Sequence, residues 1–86
     1  MAASPLDQPA LGYPPERPAT APAVDGGGRE CMVNFRDRTW RLCRVTSWQR
    51  DREAWRVQLR WGVSGDWYAG WYLYDPEQVT AGPAQQ

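Results

Sequence analysis

Residues 55–74, WRVQLRWGVSGDWYAGWYLY, decide the fold of this chain, because two runs suited to β-strands are joined there by turn-forming residues. In the first run, apolar side chains at every second position alternate with polar ones, which predicts a strand with one buried face. Residues 62–66 carry the glycine, serine and aspartate typical of turns, and residues 67–74 predict the next strand. The expected pairs across this hairpin are Trp61 with Trp67, Leu59 with Ala69, Val57 with Trp71, and Trp55 with Leu73.

The residues before this hairpin predict another strand pair. Alternation with period two begins at Cys31, and Asp37-Arg38 offers a tight turn. A strand-like run follows over residues 39–48, but it changes phase partway. We therefore expect a β-bulge near Leu42 and Cys43 that restores a single apolar face.

The end of the chain completes a small barrel. Residues 75–78, Asp-Pro-Glu-Gln, are typical of a single helical turn, after which Val79 returns to the sheet. With a charged hairpin loop at residues 49–53, these elements predict an all-β fold: a small antiparallel barrel of four to five strands with a single helical turn before the last strand. Over about residues 31–80, this architecture and the terminal segment LYDPEQV resemble the SH3-like and Tudor-like small barrels.

The two ends of the chain have a different composition. Residues 1–28 are rich in proline and alanine and close on three glycines, which predicts a disordered tail with a flexible Gly linker. The predicted organisation is therefore a tail at 1–28, an SH3-like barrel at 29–80 and a disordered C-terminus at 81–86.

Composition argues against catalysis and against a metal. The chain has no histidine, its two cysteines lie within predicted strands, and its glycine run precedes a strand instead of a helix. We therefore expect no enzyme activity, no cofactor and no metal site. No segment has the length and apolar character of a membrane span, which favours a cytoplasmic protein. All ten basic residues are arginine, which suggests GC-rich coding and a bacterial source.

The polar face of the predicted hairpin offers a candidate recognition surface. The expected register places Arg60 opposite Tyr68, Arg56 opposite Tyr72 and Ala54 opposite Tyr74. One interpretation is a solvated face with cation–π contacts. The other is a binding platform, because tyrosine, tryptophan and arginine are enriched at binding hot spots.

The tryptophans add further candidates. Six of them lie between residues 40 and 71, more than one small core accommodates, so we expect some at the barrel rims. Trp61 or Trp67, next to the turn at residues 62–66, is one such residue, beside Arg60 and Tyr68. Trp48 is predicted to point outward, where it covers the barrel mouth or lines an aromatic pocket with Tyr74. The candidate ligand-binding residues are Trp48, Arg56, Arg60, Trp67, Tyr68, Tyr72 and Tyr74.

These features favour a non-catalytic binding module for a protein or peptide. Nucleic acid is the alternative ligand, although the net charge of zero argues against strong electrostatic capture. A homodimeric structural protein is the second alternative, so we expect a monomer or a weak homodimer.

Whether the two cysteines face each other depends on the length of the loop in the first hairpin. Cys31 and Cys43 face each other only if Phe35 pairs with Thr39 around a three-residue loop, whereas the shorter loop at Asp37-Arg38 places Cys43 opposite Met32. Because residues 36–38 lack the glycine favoured in three-residue loops, we predict the shorter loop and free thiols.

Overall fold

A computed structural model describes residues 5–82, and over this range the chain is all-β, as the sequence predicts. The four strands of the described range are β1 (Ala23–Asn34), β2 (Trp40–Asp51), β3 (Ala54–Val63) and β4 (Asp66–Leu73). They form one antiparallel sheet in the order β1-β2-β3-β4. Helical structure within residues 5–82 is confined to a 3-10 helix at Pro5–Asp7, and none of it has the length and apolar character that crossing a membrane requires.

The inner face of the sheet forms the core. Alternate residues of β1, β2 and β3 point inward, which is the periodicity of two that strands impose. The side chains with no exposed surface at all are Val33, Phe35, Val45, Val57 and Leu59. Trp61 packs edge-to-face on Phe35, with 5.7 Å between ring centroids, and closes one end of this core.

The β1–β2 hairpin has a three-residue loop, not the shorter loop predicted. The Phe35 N–H donates to the Thr39 carbonyl oxygen over 2.8 Å, and Arg38 adopts a positive φ of 68° without being glycine. The Asp37 side chain supports this loop by accepting from the Thr39 N–H. As a result Cys31 lies directly opposite Cys43, and both thiols are free and buried.

The bulge in β2 lies three residues further along than predicted. Pairing with β3 shifts between Val45 and Ser47, so Thr46 is the extra residue. Leu42 therefore keeps the outward direction given by plain alternation, and Trp48 turns inward.

The three glycines predicted to form a flexible linker belong to β1, where they form an irregularity between Asp25 and Arg29. A Cβ on Gly26 would lie 2.7 Å from the Val45 carbonyl oxygen, so only glycine fits there. Gly27 and Gly28 have φ angles of 72° and 66°, in the left-handed region that glycine adopts without strain. These glycines are therefore part of the sheet.

The β3–β4 hairpin differs from the predicted register by one residue. Ser64 and Gly65 both have positive φ, which makes a two-residue type I′ turn and pairs Val63 with Asp66. A shift of one residue turns every side chain of β4 to the opposite face. Tyr68 and Tyr72 consequently point inward, whereas Trp67, Ala69, Trp71 and Leu73 share the outer face.

The N-terminal residues close the open side of the sheet. Pro9 bridges Phe35, and Pro9 and Leu11 are buried in the core. The Trp61 indole N–H donates to the Asp7 carbonyl oxygen, and the Leu73 N–H donates to the Gly12 carbonyl oxygen. The structure thus differs from the predicted tail at 1–28, because proline and leucine side chains fill a gap that the strands leave.

The C-terminal residues cover the free edge of β1. Residues 76–78 form a hydrogen-bonded turn where the sequence predicts a helical turn, and Val79 then bridges Val33. Thr80 bonds Met32 in both directions, and Ala81 is buried. Ala81 was predicted to begin a disordered end; residues 83–86 of that segment, like residues 1–4 of the predicted tail, lie outside the described residues.

Candidate binding surface

Trp67 and Arg60 form the most exposed aromatic feature of the sheet's outer face. Trp67 lies directly opposite Gly62, and its ring comes within 3.7 Å of the position that a Cβ on Gly62 would occupy. The Arg60 guanidinium stacks over the indole, 4.7 Å from its centroid. Trp67 is nevertheless 62% exposed. The missing side chain of Gly62 and the stacked guanidinium therefore support an indole that stays open to solvent.

The same face continues onto β1 and β2 as exposed apolar side chains. Met32 lies directly opposite Leu42, and the next outward pair is Asn34 with Trp40. Leu42 and Trp40 are about half exposed, at 56% and 49%. We call the outward side chains of this region the arginine–tryptophan face: Met32, Trp40, Leu42, Arg44, Arg60 and Trp67.

The strand register makes this face continuous. Arg44 lies directly opposite Arg60. Leu42 is two residues before Arg44 and Gly62 is two residues after Arg60, so the antiparallel register places Leu42 on the side of Gly62 and its partner Trp67. Large apolar side chains on β1, β2 and β4 thus lie in one row beside two arginines. Contiguous exposed apolar patches rimmed by polar groups are typical of interaction sites.

Three acidic groups near this face are already paired. Glu30 bonds Arg44 over 3.0 Å, and Arg41 bonds both Asp37 and Asp7. Hydrogen bonds from the Thr39 hydroxyl and the Thr39 N–H, and then from Arg41, lower the pKa of Asp37 to about 2, so this carboxylate is ionised at neutral pH.

Arg38 and Arg60, in contrast, are exposed arginines on or beside this face that take no part in the ion pairs of residues 5–82. Arg36 also lacks an ion pair, but its guanidinium lies over the Tyr13 ring, 5.8 Å from the centroid. Arg50 and Arg52 are exposed without an ion pair at the other end of the sheet, beside the β2–β3 turn. The face and the adjoining hairpin loop therefore carry an excess of positive charge.

Tyr68 and Tyr72 do not form the predicted platform with the arginines. Tyr72 is buried, its hydroxyl donates to Oε1 of Gln8 over 3.1 Å, and burial raises its pKa to about 12. Tyr68 stacks on Trp61 from the inner side. The prediction that Arg60 faces Tyr68 and Arg56 faces Tyr72 is wrong, because the two-residue turn sets Ala69 opposite Arg60.

Arg56 is also removed from the surface. Its Nη2 bonds Oδ2 of Asp51 over 2.9 Å, and Arg17 bonds Oδ1 of the same carboxylate at the same distance. Arg56 is 7% exposed, and its Nε is buried without a hydrogen-bond partner. The Arg17 and Arg56 hydrogen bonds hold the pKa of Asp51 at about 2. This buried network makes Arg56 a structural residue.

Trp48 and Tyr74 do come together, but inside the barrel end. Trp48 is only 9% exposed, against the outward direction predicted for it. Its ring packs edge-to-face on Tyr74 at 5.2 Å and on Trp55 at 6.3 Å. The bulge at Thr46 is the reason, because it reverses the facing of every later residue of β2.

A cavity of about 190 Å³ opens beside this aromatic cluster. Trp48 and Trp55 line it together with Asp25, Arg29 and the glycine bulge of β1. Aromatic walls suit a cationic guest, but Arg29 lines the same cavity and the Arg50 guanidinium already lies 5.2 Å from the Trp55 ring centroid. A cation therefore already lies over the Trp55 ring, and the Asp25 carboxylate of the lining has Arg29 beside it as a counter-charge. The arginine–tryptophan face is therefore the better candidate site.

The thiols are poorly suited to nucleophilic chemistry. Burial raises the pKa of Cys31 to about 11 and that of Cys43 to about 12, so the reactive thiolate is scarce at neutral pH. Within residues 5–82, no three side chains of histidine, cysteine, aspartate or glutamate are grouped to hold a metal ion.

Sequence reasoning identified Arg60 and Trp67 and missed Trp40, Leu42 and Met32. The missed signal was the alternation of residues 40–45, in which Trp40 and Leu42 fall on the face opposite Cys43 and Val45. The change of phase predicts a bulge, but β2 pairs regularly with β1 through residues 40–45. Trp40 and Leu42 therefore stay on the outer face.

Comparison of the chain with protein-family models, with curated proteins and with solved structures finds no match.

Proposed function

We propose that this protein is a non-catalytic binding module that recognises a protein or peptide through its arginine–tryptophan face. The observation that carries the proposal is Trp67, an indole 62% exposed, supported by Arg60 and adjacent to further exposed apolar side chains. Keeping a large aromatic in water forgoes the stabilisation that its burial would give a small domain. Tryptophan and arginine are also residues in which binding energy concentrates.

The aliphatic part of the face favours a protein ligand over nucleic acid. Met32 and Leu42 lie directly opposite each other and offer no stacking surface for bases. The chain has no net charge, whereas non-specific nucleic-acid binding relies on many phosphate contacts. Nucleic acid remains the alternative, and a homodimer through the same face is the second one.

We also propose that the fold is an SH3-like or Tudor-like barrel, acting in the bacterial cytoplasm as a monomer or weak homodimer. The hairpin order of the four described strands and the return of Val79 to β1 support the first part. The exclusive use of arginine as basic residue supports a bacterial source.

The test is a selection from random peptides displayed on phage, with the full chain immobilised. Selected peptides are then synthesised and titrated by fluorescence anisotropy against wild type, Trp67→Ala and the control Val24→Ala, which removes another exposed apolar side chain. We expect Trp67→Ala to weaken binding about tenfold or more, and Val24→Ala to leave it unchanged.

Two further measurements separate the alternatives. A thymidine oligonucleotide that binds with a steep loss of affinity at rising salt, while no peptide is selected, would favour nucleic acid. Sedimentation that shows a dimer for wild type and a monomer for Trp67→Ala would favour the homodimer. Peptides that bind Trp67→Ala as well as wild type would contradict the proposed site.

A further inference from the structure

The charges of the arginine–tryptophan face specify its partner more closely. Each acidic group bordering the face on β1 and the first hairpin is already held by an arginine: Glu30 by Arg44, and Asp37 by Arg41. Of the arginines on or beside the face, Arg38 and Arg60 are left without a carboxylate by the ion pairs of the described residues, whereas the Arg36 guanidinium lies over the Tyr13 ring. Asp66, next to Trp67, points by strand alternation to the opposite face.

Arg60 is placed to act on a ligand at Trp67. Its guanidinium already lies 4.7 Å from the indole centroid, so it needs little further ordering to meet a group bound there. Guanidinium groups bind carboxylates with paired hydrogen bonds. Arg44 lies directly opposite Arg60, so two guanidinium-bearing residues share one level of the sheet. Within residues 5–82, Glu30 is the one carboxylate in an ion pair with either of them, and it pairs with Arg44.

We propose that the partner is an acidic protein segment: a peptide whose carboxylates meet Arg60 and Arg38, while an apolar side chain packs on Trp67 and Leu42. This inference rests on the proposed function and adds the chemistry of the partner. The uncompensated positive charge selects carboxylates, and the aliphatic side chains between the arginines select a segment that also carries apolar residues. A phosphate backbone would satisfy the arginines but leave Leu42 and Met32 unmatched.

The experiment compares two phage libraries panned in parallel on the full chain. Both carry the same apolar and neutral residues; the charged positions are Asp or Glu in one library and Lys or Arg in the other. We expect enrichment from the acidic library to exceed that from the basic library about tenfold or more at low salt. The preference should shrink as salt is added, because the contributing arginines are exposed.

Charge-reversal variants test whether the preference for acidic peptides depends on the arginine–tryptophan face. Arg60→Glu should remove binding of the acidic peptides. Arg52→Glu reverses another exposed arginine, in the β2–β3 turn, and should retain that binding. Urea melts of both variants verify that each remains folded.

The outcomes separate the two proposals. Binders drawn mainly from the basic library, or acidic binders that tolerate Arg60→Glu, would overturn the acidic-partner inference while leaving a peptide-binding module in place. An absence of binders from both libraries would overturn both. Binding of a thymidine oligonucleotide that Arg60→Glu abolishes, without peptide binders, would also overturn both in favour of nucleic acid.

Discussion

Arg56 and Arg60 lie on the same outer face of β3, yet only Arg60 is exposed. Alternation along the strand predicts the same environment for both. The difference arises at the end of the hairpin, where Asp51 and Arg17 close over Arg56. Sequence alternation determines which way a side chain points, but a segment from elsewhere in the chain decides whether water reaches it.

A first prediction compares three substitutions in β3. Leu59→Ala should destabilise the fold by about 2–5 kcal/mol, because Leu59 is fully buried and its removal leaves a cavity. Arg60→Ala should cost about 0.5 kcal/mol or less, since that side chain is exposed. Arg56→Ala, which the alternation alone would make nearly neutral, should cost more than Arg60→Ala because it breaks the buried Asp51 pair. Urea melts would contradict this register if Arg60→Ala and Leu59→Ala cost the same.

A second prediction concerns accessibility of the indoles. Acrylamide should quench Trp67 strongly, because it is 62% exposed, and Trp61 weakly, because it is 2% exposed. Trp67→Phe should therefore remove a large share of the quenchable fluorescence, and Trp61→Phe a small share. If both variants quench like wild type, the exposed indole on which the binding proposal depends is absent.

At the scale of the elements, the sequence predicts the strands well and their pairing less well. Residues 55–61 alternate as expected, but a turn of two residues or of more is compatible with the same alternation. Ser64 adopts positive φ, which serine does not signal, and the resulting type I′ turn exchanges the faces of β4. In the first hairpin, the positive φ of Arg38 likewise has no signal in the sequence, and the three-residue loop that it closes shifts the pairing of β1 with β2 by one residue. The exchange of faces in β4 explains why Tyr68 and Tyr72 were assigned to the wrong face. Arg60 follows from the alternation of β3, whereas Trp67 is predicted as a rim residue from its position beside the turn and not from the face that it occupies.

A third prediction follows from the first hairpin. Although Cys31 and Cys43 are directly opposed, both are free and buried, so titration of the denatured protein without reductant should count two thiols. The folded protein should react slowly, since burial raises both pKa values and blocks access. A count of zero after denaturation would instead reveal a cross-strand disulfide.

At the scale of the whole molecule, the N-terminal segment is the main departure from the sequence-based prediction. Its composition lacks the periodicity of a strand or helix, so nothing local indicates that it packs. Pro9 and Leu11 are nevertheless buried, and the Asp7 carbonyl and the Gln8 side chain receive hydrogen bonds from Trp61 and Tyr72. The segment therefore docks because its side chains fill a gap between the folded strands, and no local sequence pattern indicates this.

A fourth prediction uses two leucines of this segment. Leu11→Ala should lower the melting temperature by more than about 5 °C, because Leu11 belongs to the core. Leu6→Ala should have little effect, because Leu6 is 55% exposed. Equal effects would show that the segment is not docked as described, and that the folded domain begins near residue 29, as composition alone predicts.

A fifth prediction concerns acid. Hydrogen bonds from Arg17 and Arg56 lower the pKa of Asp51 from 3.8 to about 2 in the folded protein. A carboxylate with a lowered pKa contributes stability above its unfolded pKa, and that contribution is lost as the pH falls from about 4 towards 2. Urea midpoints should therefore fall over this range, and less steeply in Asp51→Asn. If the urea midpoint of Asp51→Asn falls as steeply with pH as that of wild type, Asp51 does not cause the loss of stability in acid.

The docking of the first residues against the last strands also sets the order of events during synthesis. Trp61 follows its partner Asp7 by 54 residues, and Tyr72 follows Gln8 by 64. A ribosome releases the N-terminal segment first, so Asp7 and Gln8 form these hydrogen bonds only after β3 and β4 have emerged. Contacts between such distant residues slow folding, since a long loop must close before they form. The sheet of the nascent chain is therefore open until the N-terminal segment docks on β3 and β4. We expect a protein fused to the N-terminus to change the rate of this docking step.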